Sequence, residues 1–439
     1  MRWDIHGPLL VWLVVIPASA AAQAPGQRPP ESLRLATLQQ EALAADPRLR
    51  EVELQTRQTG LRLRNIEVER LPAVSALGQT QFQSDVPTAP VTLPGGQPLF
   101  APSKETYDVS VRVDQRLVDP AIGPRLALTR ADLAESQARL RTMLFSLRHE
   151  VNEAFFTAAL LQGQVAALGV TITDLETRLR ETAVRVREGA ALAGEAAAIE
   201  ATLLQYRQQD DELRANRAAA LARLARLTRH DIDADAVLEL PDLEEPVAQA
   251  RNGLDRLRAR PEYEQFERAR DRAARQQDLA AAQERPQLTA FGRVGYGKPG
   301  LNFIDDRFEP YALGSVQLQW KAWTWGASSR ERQALALQQS IVNAEEAAFT
   351  DGLRRSIEAD LAAIDRLQRA LTADERILTL RESVDRTARL RFQEGVVTAS
   401  EYLDRNTEWV RAQLDRTRHG VELAQARARL LTTLGLEVR

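Results

Sequence analysis

Two different spacings of apolar residues alternate along this chain. At Val109, Val111 and Val113 every second residue is apolar and the residues between them are polar, which is the spacing of a β-strand. The same alternation predicts four strands, at about 72–83, 107–118, 286–297 and 311–322. Proline and glycine residues around Pro94 and Pro299 separate the members of each pair, so we expect two hairpins.

After each hairpin the spacing becomes helical. In the first half, apolar residues recur in steps of four and three at Leu140, Leu144, Leu147, Val151, Ala154, Ala158, Leu161, Val165, Leu168, Ile172, Leu175 and Leu179. This heptad seam indicates coiled-coil-like packing, and a helix of about 70 residues would be about 105 Å long. A sparser seam follows from Leu353 to Leu378. Glu188-Gly189 and Glu394-Gly395 predict the ends of the two long helices, each followed by a returning helix of about 35 residues.

The two halves of the chain repeat each other. Pro72-Ala-Val-Ser75-Ala76-Leu-Gly78 matches Pro286-Gln-Leu-Thr289-Ala290-Phe-Gly292, and the spacing between Pro47 and Pro72 recurs between Pro261 and Pro286. Copies of about 200 residues are too long for a solenoid repeat and indicate a duplicated domain. We therefore expect repeat 1 over residues 33–240 and repeat 2 over residues 241–439.

The N-terminal residues predict export. A weakly basic start at Arg2, an apolar stretch over Leu9–Ile16 and small residues up to Ala20 or Ala22 are typical of a secretory signal peptide, assigned to residues 1–22. The apolar stretch is too short to span a bilayer as a helix. Residues 23–32 are expected to form a flexible leader. Because no other long apolar run follows, we expect a mature protein without a transmembrane helix.

Composition excludes several classes of protein. A net charge of only −3 provides no basic field to neutralise phosphates, which argues against nucleic acid as a partner. The absence of cysteine excludes disulfides, a thiolate metal site, a catalytic thiol and a lipid anchor on cysteine. The four histidines are scattered and no acid, base and nucleophile come together, so we expect no enzyme, no cofactor and no metal site.

The alternating strands have two interpretations: a soluble antiparallel sheet, or segments of a transmembrane barrel with lipid on one face and water on the other. Their length suits a tilted membrane strand. Charged residues on the polar side also favour the barrel, namely Asp108, Arg112, Asp114, Arg293 and Lys321. So do aromatic residues near the strand ends, which resemble an interfacial belt: Tyr107, Tyr296, Tyr311, Trp320, Trp323 and Trp325.

Four strands are too few to close a membrane barrel, since the smallest such barrels have eight and an open edge in lipid is very costly. The chain must then oligomerise. A trimer with twelve strands and a dimer with eight are the simplest arrangements.

Three segments resemble a known family. The first helix over Thr37–Leu49, the strand-to-helix passage Gln115-Arg-Leu117-Val118-Asp119, and the segment Phe392–Asp404 are similar in order and spacing to the TolC-like outer-membrane efflux proteins. The resemblance covers essentially the whole mature chain. It implies a mainly α fold with a small transmembrane β part, in which a duplicated strand-hairpin and long-helix repeat forms a homotrimer. Three chains would share a twelve-stranded β-barrel in outer-membrane lipid, continued by an α-helical barrel in the periplasm.

The resemblance also implies a function. Such proteins are passive exit ducts of tripartite efflux pumps, and they dock onto a periplasmic adaptor protein and an inner-membrane transporter. The same duct could instead serve type I protein secretion or metal-ion export. A soluble periplasmic coiled-coil scaffold is the alternative from another class.

The resemblance further implies a pore constriction at the periplasmic end. The matching acidic positions are Glu401 and Asp404, one helical turn apart and so on one face. Rings of such carboxylates favour cations. Glu195 is the counterpart of Glu401 in repeat 1, but Ala198 replaces Asp404. The alternative is that these residues lie on a solvated helix face, with Asp404 paired to a nearby arginine.

Two turns at that end are the expected docking tips for the adaptor. The first comprises Gly189, Ala190 and Leu192, and the second comprises Gly395, Val396 and Thr398. The glycines also suit helix termination, and the two functions are compatible. The second turn contains no basic residue that could latch a gate.

Overall fold

A computed structural model describes residues 32–86, 103–251, 258–301 and 306–438. The elements, in chain order, are β1 (Ser32–Arg34), α1 (Leu35–Ala45), α2 (Arg48–Val68), β2 (Ala73–Phe82), β3 (Glu105–Val118), α3 (Ile122–Arg187), α4 (Ala193–Thr228), β4 (Val237–Glu239), α5 (Glu244–Arg251), α6 (Pro261–Ala282), β5 (Gln287–Lys298), β6 (Glu309–Gln319), α7 (Ala327–Gln393) and α8 (Ala399–Thr433). The expected mainly α fold with two strand hairpins is confirmed. The predicted signal peptide, the leader before Ser32 and the loop around Pro94 lie outside the described residues.

Two long helices dominate the chain. α3 has 66 residues and α7 has 67, so each is about 100 Å long. Most of the heptad seam predicted on α3 is buried, including Leu147, Val151 and Leu168. α3 is followed by the returning helix α4 of 36 residues, and α7 by α8 of 35 residues. Burial of the seam explains why such long helices are stable.

The first described elements differ in part from the sequence prediction. The apolar spacing predicts one helix from about Leu33 to Glu69, interrupted near Asp46-Pro47. It is observed as α1 and α2, but Leu33 and Arg34 form β1 instead of a first helical turn. Leu33 pairs in parallel with Leu238 of β4, a partner too distant in sequence for local spacing to indicate. The order strand, two helices, two strands, two helices then occurs twice. β4 leads the second series, slightly before the expected start of repeat 2.

The four longer strands form one antiparallel sheet in the order β2-β3-β5-β6. Each half supplies one hairpin, and β3 joins β5 across the halves. β6 ends at Gln319, earlier than predicted, because its partner β5 begins at Gln287. Among the described strands, β2 and β6 therefore each have a neighbour on one side only.

The two faces of this sheet are chemically opposite. Residues directly across a strand pair share a face. One face consists of apolar and small residues, including Val74, Ala76, Gly78, Val109, Val111, Val113, Ala290, Val294, Ala312, Val316 and Leu318. Polar residues dominate the other, including Ser75, Gln79, Asp108, Ser110, Arg112, Arg293 and Gln317. The apolar face is exposed in the single chain, and an apolar surface of this extent marks a contact with another molecule or with lipid.

The main core lies where the long helices meet the short elements β1, α1 and β4. Phe155 and Phe156 are fully buried there, with ring centroids 5.3 Å apart and nearly perpendicular planes. α3 alone among the described helices contains an 18-residue window apolar enough to cross a membrane, with mean hydropathy 1.5. One third of that window is buried inside the chain, and Phe155 and Phe156 of α3 lie in this core, so we assign the apolarity of α3 to packing.

Candidate functional site

The two long helices end in the same way. At the first tip, residues 188–195, the N–H of Gly189 donates to the carbonyl of Val186 (3.1 Å) and that of Ala190 to Arg185 (2.7 Å). This is the Schellman arrangement, and it requires the left-handed backbone that Gly189 adopts at φ +73°. The second tip, residues 394–401, repeats both bonds, with Gly395 also at φ +73°. The Glu-Gly signals in the sequence therefore mark the helix ends.

All six residues expected to form docking tips are exposed: Gly189, Ala190, Leu192, Gly395, Val396 and Thr398. Leu192 is 75% exposed and Val396 is 67% exposed. Each tip thus presents one large apolar side chain to the surroundings, next to a glycine turn.

The tips differ in how the following helix begins. Thr398 caps α8 by accepting a hydrogen bond from the N–H of Glu401 (3.3 Å), whereas Leu192 offers α4 no side-chain cap. Thr398 and Glu401 have the spacing of a capping box. Glu401 therefore also suits a first helical turn, where the helix dipole favours a carboxylate. Glu195 occupies the same position in α4.

Glu401 and Asp404 are both exposed, on the side of α8 away from the buried Tyr402 and Leu403. Within the part of the chain that the structure describes, neither carboxylate has an ion pair. The neighbouring Arg405 contacts Glu408 instead, at 3.4 Å. The pairing of Asp404 with a nearby arginine, the alternative weighed above, is not observed. Two unneutralised carboxylates therefore share one exposed face close to the second tip.

A basic residue just before the first tip contacts the end of α7, just before the second tip. Arg185, in the last turn of α3, donates to the carbonyl oxygen of Phe392 at 3.3 Å, and its guanidinium lies 6.0 Å from the Phe392 ring. A cation suits the C-terminal end of α7, where helix carbonyls lack partners. Sequence spacing did not indicate this contact, because the arginine belongs to the other half of the chain.

Farther along the helices, a polar cluster joins the two halves. Asp174 of α3 accepts from Arg389 of α7 (3.1 Å) and from the hydroxyl of Tyr402 of α8 (3.2 Å). Asp385 of α7 accepts from Asn406 of α8 at 3.0 Å. These residues were not predicted from the sequence. Polar residues beside a heptad seam were the available signal, since they specify how helices align.

Burial sets the protonation of this cluster. Desolvation raises the pKa of the Tyr402 hydroxyl, and the nearby carboxylate of Asp174 adds to the effect, so the hydroxyl stays protonated and donates. Desolvation also raises the pKa of Asp385, opposed by its hydrogen bond from Asn406 and by the charge of Arg389. Burying the charged form of Asp385 therefore costs free energy of folding.

The polar face of the sheet carries its own network. Asp108 pairs with Arg293 and accepts from the Tyr311 hydroxyl, while Ser110 accepts from Arg293 at 2.9 Å. Tyr311 was grouped above with the interfacial aromatic residues, which is wrong. It lies opposite Gly295, and a Cβ there would meet the Tyr311 ring at 2.6 Å. The glycine leaves room for the ring on the polar face.

The remaining aromatic residues fall into two groups at opposite ends of the sheet. Tyr296 stacks on Phe308 at 5.7 Å, and Tyr107 is 6.0 Å from the same ring. Beyond the other end of β6, Trp323 and Trp325 are in edge-to-face contact at 5.8 Å. Tyr296 lies opposite Pro310 of β6, ten residues before Trp320, which follows the end of that strand and is 61% exposed. Ten residues span about 33 Å along a strand and about 25 Å at the tilt of membrane strands. Lys321 follows the end of β6.

Solved structures share this fold. A membrane protein from Pseudomonas aeruginosa matches with a TM-score of 0.71 at 18% identity, over 92% of this chain and 90% of that one. The MtrE outer membrane channel of Neisseria gonorrhoeae, in its open state, matches with a TM-score of 0.66 at 18% identity, over 92% of this chain and 90% of that one. The CmeC outer membrane channel of Campylobacter jejuni matches with a TM-score of 0.68 at 14% identity, over 91% of this chain and 85% of that one. The fold expected for the single chain, mainly α with duplicated strand hairpins and long helices, is confirmed.

Neither a sequence-family model nor a curated protein sequence matches this chain. Across the four described ranges, no three histidine, cysteine, aspartate or glutamate side chains lie close enough together to hold a metal ion.

The polar cluster predicts a pH dependence of stability. The folded pKa of Asp385 lies above its ordinary value of 3.8, so the protonated form is the stabilised one. That stabilisation is fully present below pH 3.8 and is lost as pH rises through the folded pKa. Asp385→Asn is neutral at every pH. We expect its thermal midpoint in detergent to exceed that of the unmodified protein at pH 7 and to vary less with pH.

Glu382→Gln is the matched control, because Glu382 lies one turn earlier on the exposed side of α7 and, among the described residues, forms its ion pair with the exposed Arg386. It should change stability by less than about 0.5 kcal/mol. A lower midpoint for Asp385→Asn than for the unmodified protein at pH 7 would show that the Arg389 and Asn406 contacts outweigh desolvation.

Proposed function

We propose that this protein is an outer-membrane channel-tunnel for passive exit of substrates of a tripartite efflux pump. The observation that carries the proposal is the sheet: one face apolar, the other charged, both edges open, and aromatic groups about one membrane thickness apart. Several copies would pool their strands into one barrel, with three copies giving twelve strands. The helices, about 100 Å long, would continue the bore through the periplasm.

The first test combines location, assembly and conductance. We expect the protein in the outer-membrane fraction, extracted only with detergent, and running as a trimer that boiling converts to monomer. In planar bilayers it should form channels without an energy source. A protein released without detergent and running as a monomer before boiling would favour the periplasmic scaffold instead.

The carboxylates of Glu401 and Asp404 are proposed to line the constriction of the pore, with Glu195 contributing from the first half. Glu401→Gln with Asp404→Asn removes charge but keeps side-chain size and the capping-box spacing. Each ring holds one carboxylate per copy, so the double substitution removes the charge of both rings. We therefore expect the cation-over-anion permeability ratio to fall severalfold toward one. Reversal potentials in asymmetric KCl across a planar bilayer measure this ratio.

Asp211→Asn with Glu212→Gln is the control, since these exposed carboxylates of α4 lie far along the helix from the tip. It should leave the ratio unchanged. An equal ratio in the tip variant and the control would assign Glu401 and Asp404 to a solvated helix face.

Arg185 is proposed to hold the second tip against the first. Arg185→Ala removes its bond to the Phe392 carbonyl, and a loss of about 1 kcal/mol would favour separated tips about fivefold. We expect larger mean conductance and greater entry of bulky antibiotics through the outer membrane. Arg187→Ala, an exposed change in the same helical turn, should do neither. Identical conductance for the two variants would show that Arg185 does not hold the tips together.

Gly189, Ala190 and Leu192, with Gly395, Val396 and Thr398, are proposed to contact the periplasmic adaptor. Gly189→Val and Gly395→Val each place a branched side chain on a left-handed backbone, which costs about 1–2 kcal/mol and distorts the turn. We expect adaptor cross-linking in cells and drug tolerance to fall. The control is Gly169→Val, which lies farther along α3 from the tips, where an added Cβ meets nothing within 4 Å. If the tip variants behave as this control does, docking lies elsewhere.

The transported substrate distinguishes drug efflux from type I secretion and from metal-ion export. The rings of carboxylates suit cationic substrates better than anionic ones, and nothing else in the described residues selects a substrate class. Identifying the pump and adaptor that co-purify with the protein separates the three systems.

A further inference from the structure

The passage from β6 to α7, residues 320–326, presents three tryptophans to the surroundings. Trp323 is 74% exposed and Trp325 is 80% exposed, and Trp320 is exposed as well. Trp325 also adopts a left-handed backbone at φ +52°, a conformation that favours glycine and strains a large residue. Large rings exposed side by side mark a contact with something outside the single chain.

The tryptophans continue the apolar face of the sheet. Val316 and Leu318 of β6 lie on that face and are exposed, and Trp320 comes at the next position of the same alternation. The long helix α7 begins a few residues later, at Ala327. The tryptophans therefore lie at the border between the apolar face and the helical part of the chain.

Lysine is rare in this chain and occurs only at the ends of the sheet. Three of the 58 lysines and arginines are lysines: Lys104 precedes β3, Lys298 ends β5 and Lys321 follows β6. The Lys104 ammonium donates to the carbonyl oxygen of Ser84 at 3.1 Å, and Lys298 pairs with Asp306 at 3.4 Å. Lys321 is exposed and forms no ion pair with any described residue. Its charge is therefore available to a partner outside the chain.

A second cation lies beside the tryptophans. The guanidinium of Arg330, in the first turn of α7, donates to the carbonyl oxygen of Trp325 at 3.0 Å and has no carboxylate partner in the described ranges. A Cβ added at Gly326 would lie 3.2 Å from this guanidinium, so the cation covers the turn. No acidic residue occurs between Glu309 and Glu331. The segment thus carries two positive charges and no negative one.

The corresponding passage of the first half is neutralised within the chain. Arg116 pairs with Glu69 at 2.6 Å and with Asp119 at 3.0 Å. Arg125 pairs with Glu69 at 2.5 Å, and the N–H of Ala121 donates to Asp119 at 2.9 Å just before α3 begins. By contrast, α7 has no acidic residue in its first turn to offset the positive end of its dipole. Only the second passage therefore offers uncompensated positive charge next to exposed aromatic rings.

We propose that residues 320–330 bind the phosphate group of an anionic phospholipid. Lys321 and Arg330 are the cations, and the three tryptophans lie between the head groups and the acyl chains. Tryptophan suits that layer because its ring is apolar and its N–H is polar. A lysine reaches a phosphate as a flexible point charge. The inference rests on the proposed function in placing the apolar face of the sheet in lipid.

The charges favour an anionic lipid over a zwitterionic one. A zwitterionic head group brings its own ammonium, which Lys321 and Arg330 repel, whereas an anionic head group leaves its phosphate uncompensated. Each basic residue near an anionic lipid surface contributes a factor of about five to binding. Two such residues therefore give an anionic lipid an advantage of about 25-fold.

Energy transfer from the tryptophans to a dansyl-labelled phospholipid measures this contact. The protein is purified in an uncharged detergent and titrated with phosphatidylglycerol or with phosphatidylcholine, each labelled on the acyl chain. Among the described residues the only other tryptophan is Trp409. It lines a cavity with Glu382 of α7, 55 residues after Ala327 and so about 80 Å from the sheet, too far to contribute.

We expect tighter binding of phosphatidylglycerol than of phosphatidylcholine. Lys321→Gln should weaken phosphatidylglycerol binding about fivefold, and Lys321→Gln with Arg330→Gln about 25-fold, with phosphatidylcholine binding unchanged. The control is Lys104→Gln with Arg354→Gln, which removes the same two charges elsewhere, at the opposite end of the sheet and farther along α7. It should leave both affinities unchanged. Inorganic phosphate at the concentration of the lipid should not displace the labelled phosphatidylglycerol.

The outcomes separate this inference from the proposed function. Equal affinity for the two lipids, no effect of Lys321→Gln, or displacement by inorganic phosphate overturns the lipid phosphate site. So does the absence of transfer to either lipid in a protein that runs as an oligomer before boiling, since a second copy would then cover the tryptophans. All of these results leave the channel proposal standing. A protein that is released without detergent and runs as a monomer before boiling overturns both.

Discussion

The constraint on which this structure depends is the pairing of backbone groups at the edges of its sheet. Hydrocarbon offers no hydrogen-bond partner, so an unpaired strand edge cannot remain in a membrane. Among the described strands, the sheet has an apolar face between two edge strands, β2 and β6, each paired on one side only. If that face lies in lipid, other copies of the chain must supply the missing partners. The number of copies, the width of the bore and the spacing of the helices all follow from how the strands of these copies close into one barrel.

The duplication supplies a nearly symmetric frame, and function is proposed where the halves differ. Both tips have the same backbone conformation, with a glycine at φ +73° and the same two hydrogen bonds to helix carbonyls. Only the second tip combines a threonine cap with the acidic pair Glu401 and Asp404. Arg185, just before the first tip, donates a hydrogen bond to the end of α7, so the two halves contribute differently there. The buried cluster around Asp174 and Asp385 ties the same helices together, at a desolvation cost that a purely apolar seam would avoid.

Periodic features of the sequence predicted most of the fold. The heptad seam identified the buried side of α3, and period-two alternation identified the strands, because both signals extend over many residues. Contacts between distant segments were beyond that reasoning. The pairing of Leu33 with Leu238, the bond from Arg185 to Phe392 and the position of Tyr311 over Gly295 each depend on tertiary structure. At the site, Glu401 and Asp404 were found by resemblance, and only the structure shows that both are exposed and have no ion pair among the described residues.

The central claim is that the apolar face of the sheet contacts lipid while the other face contacts water. Single cysteines along β2 test it most directly, in protein reconstituted into liposomes and treated with a charged thiol reagent. We expect rapid labelling at Ser75, Gln79 and Gln81, protection at Val74, Ala76 and Thr80, and quenching of a fluorophore at the protected positions by a lipid-phase quencher. Equal aqueous labelling at both sets of positions would contradict the claim.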